Sequence, residues 1–137
     1  MKPAFALSLS FDGITLLHRA AGGWRRVGSA ALESDDLSGE LAELRAKAEE
    51  LEPGRVRSKL ILPTEQVRYL SIDTGTFEGE ARDRMVRAAV GNATPYAIEE
   101  LAFDTCHQVG VTHVAAVARE TLAEAAAFAA EHDFGPV

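Results

Sequence analysis

The chain has 137 residues, of which 47% are hydrophobic and 26% are charged, and this balance excludes a disordered chain. Its formal net charge of -7 argues against a general nucleic-acid-binding surface, which needs clustered Lys and Arg. The single cysteine, Cys106, excludes an internal disulfide, and no apolar run approaches the ~20 residues that span a bilayer. We therefore expect an acidic, cytoplasmic domain that has no nucleic-acid partner and does not insert directly into a membrane.

The amino-terminal part of the chain predicts an antiparallel meander of three strands. Residues 4–10 alternate in the manner of a strand. The Asp12-Gly13 pair predicts a hairpin turn, because glycine tolerates a positive φ and Asp can bond its own backbone. The segment "ITLLHRA" continues as a second strand, a turn at Gly22-Gly23 follows, and "WRRVGSAAL" forms the third strand.

A change to helical periodicity follows this meander. The apolar residues of one helical stripe are Leu37, Leu41, Leu44, Ala48 and Leu51. Ser34, Asp35 and Asp36 stand at the start, where free N–H groups and the helix dipole favour such side chains. Pro53-Gly54 ends the segment, so the pattern predicts a helix over residues 37–51.

The remaining segments predict further strands and helices. The segments "VRSKLILP" and "QVRYLSID" predict two strands, and "FEGEARDRMVRAAVGN" predicts a helix that ends at Gly91-Asn92. Residues 101–108 and "VTHVAAVA" predict two more strands, and Thr121 and Glu124 predict a capping box before the helix "LAEAAAFAAEH". The order βββ-α-β-β-α-β-β-α is typical of an α+β or α/β domain whose helices pack on a mixed sheet. We expect residues 1–137 to form a single domain, truncated at the helix-to-strand turn of Gly135-Pro136.

Several segments, taken in order, resemble one branch of the actin-like proteins, which have a ribonuclease H-like fold. The segments that carry the resemblance are "GGWRRVGSAAL", "KLILPTEQVRYLSID", "ARDRMVRAAVGNATPYAIEELAFDTCH" and "THVAAVARETLAEAAAFAAEHDFGPV". The branch comprises the PilM-like proteins of type IV pili and the cytoplasmic part of the GspL-like proteins of type II secretion. The resemblance covers nearly all of this chain but only about the first half of that family's domain.

The turn "SFDGIT" bears on nucleotide binding. In the ATP-binding relatives the first hairpin turn reads D-x-G-[ST], and its N–H groups and hydroxyls contact phosphate. Here Asp12 and Gly13 are adjacent and Ile14 stands where a small residue is expected, so an ordinary hairpin turn explains the residues. The family's nucleotide also lies between two halves, of which this chain resembles one. We therefore expect no cofactor; if the chain does bind ATP, the resemblance places Asp12, Gly13 and Thr15 at the phosphates.

Other chemically suggestive residues have ordinary structural interpretations. Cys106 and His107 are neighbours on a predicted strand, so their side chains diverge, and we expect a buried, inert thiol. Glu99, Glu100 and Asp104 predict a solvated face. The histidines lack the H-x-x-x-H or C-x-x-C spacing of a metal site. We expect neither a metal nor a catalytic residue.

One basic and aromatic cluster stands out in the predicted meander. Arg19, Arg25 and Arg26 surround Trp24 in sequence, and Trp and Arg are enriched in binding hot spots. The cluster is either a small interaction patch or a hairpin tip whose Trp packs on a neighbour.

The resemblance implies a non-catalytic scaffold at the cytoplasmic face of the inner membrane, where the chain would be peripheral. Its implied partner is the cytoplasmic tail of a membrane protein or a secretion ATPase, and we also expect the half-domain to pair with itself as a homodimer. The residues suggested for partner binding are Met85, Ala89, Pro95, Tyr96 and Trp24. Two alternatives stay open: the first half of an actin-like or sugar-kinase-like ATP-binding protein, and a free-standing regulatory α/β module.

Overall fold

A computed structural model describes residues 2–137, and within this range it contains seven strands and three helices. The elements are β1 (Phe5–Leu9), β2 (Gly13–Ala20), β3 (Gly23–Ala31), α1 (Leu37–Leu51), β4 (Ser58–Ile61), β5 (Arg68–Gly75), α2 (Gly79–Ala93), β6 (Leu101–Gln108), β7 (Gly110–Ala118) and α3 (Arg119–Glu131). Short 3-10 turns cover Thr64–Gln66 and Ile98–Glu100. The predicted order of strands and helices is confirmed.

The chain forms two compact units. Unit 1 comprises residues 2–63 together with Ala123–Val137, and unit 2 comprises Thr64–Leu122. Each unit has its own sheet and its own hydrophobic core. That residues 1–137 make one domain stays a prediction.

Unit 1 is built on the mixed, four-stranded sheet β3-β2-β1-β4. The predicted meander forms its antiparallel part, and β4 returns parallel to β1. The largest fully buried side chains of its core are Phe5, Leu7, Ile14, Leu16, Leu41, Val56 and Phe134. Apolar side chains at every second position of β1 and β2 thus meet the stripe of α1 across one sheet face.

Helix α1 follows its sequence pattern closely. The side chain of Asp36 accepts a hydrogen bond from the backbone N–H of Gly39 at 3.1 Å, so Asp36 is the N-cap among the three residues predicted at the helix start. Leu41, Leu44 and Ala48 of the predicted stripe are buried against the sheet.

The carboxyl-terminal residues of the chain pack on β4. Pro136 forms a parallel β-bridge with Ser58, and the backbone N–H of Val137 donates to the carbonyl of Ser58 at 3.1 Å. The buried hydroxyl of Ser58 donates to the carbonyl of Phe134 at 2.6 Å. Gly135 makes the bend, because it adopts a positive φ of 54° that favours glycine.

Unit 2 is built on the antiparallel, three-stranded sheet β5-β7-β6. One face of this sheet packs against Val86 and Val90 of α2, and the hydroxyls of Thr74 and Thr112 pair on that buried side at 3.0 Å. The opposite face of the sheet carries Tyr69, Ser71, Asp104, Cys106 and His113, which line a shallow cavity of about 370 Å³.

Two helix boundaries and one side-chain environment differ from the predictions. Helix α2 does not end at Gly91-Asn92 but continues to Ala93, because the proline that follows pushes Thr94 into an extended conformation, with φ −129° and ψ 154°. Helix α3 begins at Arg119, directly after β7, so Thr121 and Glu124 lie inside the helix and form no capping box.

Cys106 is the third correction, because its side chain is exposed rather than buried. It lies on the face of the β5-β7-β6 sheet that α2 does not cover. Its divergence from His107 is confirmed, since the Nδ1 of His107 hydrogen-bonds to the buried Thr112 Oγ1 at 2.9 Å on the other face.

A candidate partner-binding groove

Unit 2 contains a groove of about 270 Å³ at the end of its sheet where β5 and β6 begin and β7 ends. The fully buried Leu101 and Ala116 contribute to its floor. Pro95 and Tyr96 form one wall, and the Tyr96 side chain is 45% exposed. The groove therefore combines an apolar floor with an accessible aromatic side chain, as binding hot spots do.

The connection between α2 and β6 contains several hydrogen bonds directly after Tyr96. The Ala97 N–H donates to the Glu100 side chain at 3.1 Å, and the Glu100 N–H donates to the Ala97 carbonyl at 2.9 Å. The Arg119 guanidinium donates to the Glu99 carbonyl at 3.1 Å. Glu99, Glu100 and Asp104 are otherwise exposed to solvent, as predicted. These bonds fix the 3-10 turn that directly follows Tyr96 in the chain.

The opposite wall was not predicted. It is formed by Glu65 and Gln66 of the 3-10 turn and by Val67 and Arg68 at the start of β5. Gln66 and Val67 were predicted to lie inside a strand, although the run "LPTEQV", which contains Pro63, carries a turn signal. This wall lies beside the floor of the groove because Arg68 is paired with Ala116 in the sheet, a long-range relation between β5 and β7.

The suggested binding residues fall in three different places. Pro95 and Tyr96 line the groove, whereas Met85 and Ala89 are half-buried on α2 and are not part of its lining. Trp24 lies in unit 1 at the β2–β3 hairpin, where it is 42% exposed and the Arg19 guanidinium carbon lies 5.0 Å from the ring centroid. The structure therefore brings together only Pro95 and Tyr96 of the set.

The β1–β2 turn closes on itself. The Ser10 N–H donates to the Gly13 carbonyl at 3.0 Å, and the Ser10 hydroxyl accepts from the Gly13 N–H at 3.2 Å. Asp12 is exposed, and Thr15 lies within β2, paired with Ser8. The predicted reason for Gly13 is wrong, because Gly13 does not adopt a positive φ. A Cβ at this position would instead meet the Ala30 carbonyl oxygen at 2.5 Å.

The histidine on the open face of unit 2 has partners at both ring nitrogens. His113 bonds Ser71 Oγ through Nδ1 at 2.9 Å and Gln108 Oε1 through Nε2 at 3.1 Å, as expected for a satisfied histidine. Among residues 2–137 there is no group of three or more His, Cys, Asp or Glu side chains placed to hold a metal ion. Within the same range, no helix is long and apolar enough to cross a membrane.

Comparison with known proteins supports the fold through structure alone. No protein-family model and no curated protein matches the chain. The cytoplasmic domain of EpsL, an inner membrane component of the type II secretion system of Vibrio cholerae, aligns with a TM-score of 0.67 at 14% identity. That alignment covers 97% of this chain and 54% of the EpsL domain.

Two further solved chains align. A chain of a PilM–PilN type IV pilus biogenesis complex aligns with a TM-score of 0.69 at 19% identity, over 99% of this chain and 46% of its own length. A Bacteroides thetaiotaomicron protein with an actin-like ATPase fold and unknown function aligns with a TM-score of 0.49 at 13% identity, over 98% and 51% of the two chains.

The predicted fold is thereby confirmed: the chain has the fold of the aligned parts of the EpsL cytoplasmic domain and of a chain of the PilM–PilN complex. The mixed sheet and the order of elements are those that the resemblance implied. The chain spans about half the length of the solved chains it matches.

Proposed function

We propose that the chain is a non-catalytic interaction module that binds a protein partner through the groove beside Pro95 and Tyr96. The single observation that carries the proposal is Tyr96, which is 45% exposed and lines the groove together with the buried Leu101 and Ala116. The fold it shares with components of type II secretion and type IV pilus systems supports a role in assembly rather than in catalysis. We propose that it acts at the cytoplasmic face of an inner membrane, as a peripheral component.

The form of the groove suits an extended segment of a partner. Strands β5 and β6 are the outer strands of the unit 2 sheet, and within residues 2–137 each pairs only with β7. Their free edges start beside the groove, so a peptide that enters the groove has unpaired backbone groups to bind. By likeness, the partner is the cytoplasmic tail of a PilN-type membrane protein or a secretion ATPase.

The experiment is a binding titration with two tyrosine variants. A labelled peptide of the cytoplasmic tail of the PilN-type protein from the source organism is titrated with the wild-type chain, followed by fluorescence anisotropy. The same titration is made with the purified secretion ATPase. We expect Tyr96→Ala to weaken binding about 30-fold, since hot-spot aromatic residues cost about 2 kcal/mol or more on truncation.

Tyr69→Ala is the matched control. Tyr69 lies in the same unit and is 61% exposed, but it is on the open sheet face and outside the groove. We expect its affinity to stay at the wild-type value. Equal affinities of the two variants, or no binding of either partner by the wild-type chain, would refute the proposed use of this groove.

A further inference from the structure

Unit 1 contains a second cavity, of about 490 Å³, between the distal half of the β2–β3 hairpin and the carboxyl-terminal half of α1. Its lining residues include the basic residues Arg25, Arg26 and Lys47, and the guanidinium of Arg26 donates to the Ser29 hydroxyl, which is outside the lining. Glu50 is the carboxylate in the lining, and Leu51, which is 47% exposed, is an apolar member. The cavity is therefore positively charged in a chain whose net charge is -7.

The positive charges of this cavity are not neutralised within the chain. Among residues 2–137, no carboxylate oxygen lies within 4.0 Å of a side-chain nitrogen of Arg25, Arg26 or Lys47. The Nε2 atom of the largely buried His18 has no hydrogen-bond partner in that range, and the nearest ion-pair contact is Glu52 Oε1 at 3.9 Å. Arg25 and Lys47 are therefore donors that a negatively charged ligand would satisfy.

The cavity lies beside an open sheet edge. β3 is an outer strand of the unit 1 sheet and pairs only with β2 within the described residues. Its backbone groups along Gly23–Ala31 are therefore available on one side to an added strand. An added strand places alternate side chains on one face, so its acidic side chains would reach the cations while the alternate ones lie outside the cavity.

We infer that this cavity and the β3 edge together bind an extended, acidic segment of a protein partner. The concave shape favours a polypeptide over a membrane surface. Trp24, at the tip of the same hairpin, does not line the cavity, and the Arg19 guanidinium carbon lies 5.0 Å from its ring centroid. Three lining cations in an acidic chain are also too few to hold a nucleic acid, whose affinity depends on many phosphate contacts.

The experiment uses a fluorescein-labelled peptide of alternating Glu and Leu residues as the probe. We expect the wild-type chain to bind it and the double variant Arg25→Glu/Lys47→Glu to bind it at least about tenfold more weakly. The control is Arg57→Glu/Lys59→Glu, which makes the same charge change at two exposed positions of unit 1 outside the cavity. We expect the control variant to bind within about twofold of wild type, with an affinity that falls as salt rises.

A second measurement locates the peptide. On addition of the peptide, backbone amide NMR shifts should change along β3 and at Lys47. The same changes should occur in the Tyr96→Ala variant, which separates this site from the groove of unit 2.

Should the charge reversal unfold unit 1, the double variant Arg25→Gln/Lys47→Gln replaces Arg25→Glu/Lys47→Glu. Equal losses in both charge-reversed variants, or no binding by wild type, would overturn the inference. So would binding only to vesicles that contain phosphatidylglycerol.

Discussion

Gly13 lies so close to the neighbouring strand that a Cβ on it would be 2.5 Å from the carbonyl oxygen of Ala30. The two residues are near neighbours across the β2–β3 ladder, where Gly13 pairs with Ala31. Glycine is thus required at this turn for close approach of two backbones, and a phosphate-binding role is not needed to explain it. This distinction separates an ordinary hairpin from the phosphate loop of ATP-binding relatives.

We therefore expect Gly13→Ala to lower the free energy of unfolding by about 1–3 kcal/mol, since a contact with backbone is relieved only by moving a strand. Asp12→Ala, one residue away and exposed, should leave it unchanged. Urea unfolding followed by the fluorescence of Trp24, the single tryptophan, measures both in unit 1. Equal free energies of unfolding for Gly13→Ala and wild type would show that β3 can move away from residue 13 at no cost, so that glycine is not required at this position.

Nucleotide should not stabilise this chain. Convergent backbone N–H groups hold phosphate, but the N–H groups of Ser10 and Gly13 are already bonded within the turn. We expect no change in melting temperature when ATP and magnesium are added at millimolar concentration. A ligand at 100 times its dissociation constant would contribute about 2.7 kcal/mol, which such a measurement detects. A magnesium-dependent shift that disappears in Asp12→Ala would instead assign the turn to phosphate.

The Ser58 hydroxyl should contribute measurably to the stability of unit 1. Ser58 is 0% exposed, and its Oγ donates to the Phe134 carbonyl at 2.6 Å. Ser58→Ala leaves that carbonyl without this donor inside the core, which typically costs about 1–3 kcal/mol. Ser38→Ala, at an exposed position of α1, is the control and should be neutral. The same unfolding experiment tests both, and a neutral Ser58→Ala would show that another donor replaces the hydroxyl.

The order of elements was predictable because it is written in local periodicity. Alternation of apolar residues in β1 and β2 and the helical stripe of α1 depend on neighbours in sequence, as does the cap at Asp36. The end of α2 was missed because two local signals compete. Gly91 can end a helix only if it adopts a positive φ, whereas Pro95 constrains Thr94 in any case.

The groove was predictable only on one side. The turn at Pro95 and Tyr96 is a local feature, and its sequence signal is direct. The other wall depends on the pairing of β5 with β7, which joins Arg68 to Ala116 across the chain. Periodicity says which strand residues share a face, but not which face a helix covers. This is why Cys106 was assigned to the wrong environment, although its divergence from His107 was correct.

The exposed thiol of Cys106 gives a direct test of that assignment. Cys106 pairs with His113 across the β6–β7 ladder, on the face that α2 leaves open. Because solvent reaches the sulfur without unfolding, we expect Ellman's reagent to modify the native chain about as fast as the chain in urea. The chain has one cysteine, so the signal is unambiguous, and Cys106→Ser supplies the blank.

Modification that proceeds only in urea would contradict this assignment. It would mean either that a partner copy covers the thiol or that the thiol lies on the sheet face covered by α2. Sedimentation of the native chain at several protein concentrations would separate those two causes, because only a partner copy changes the mass.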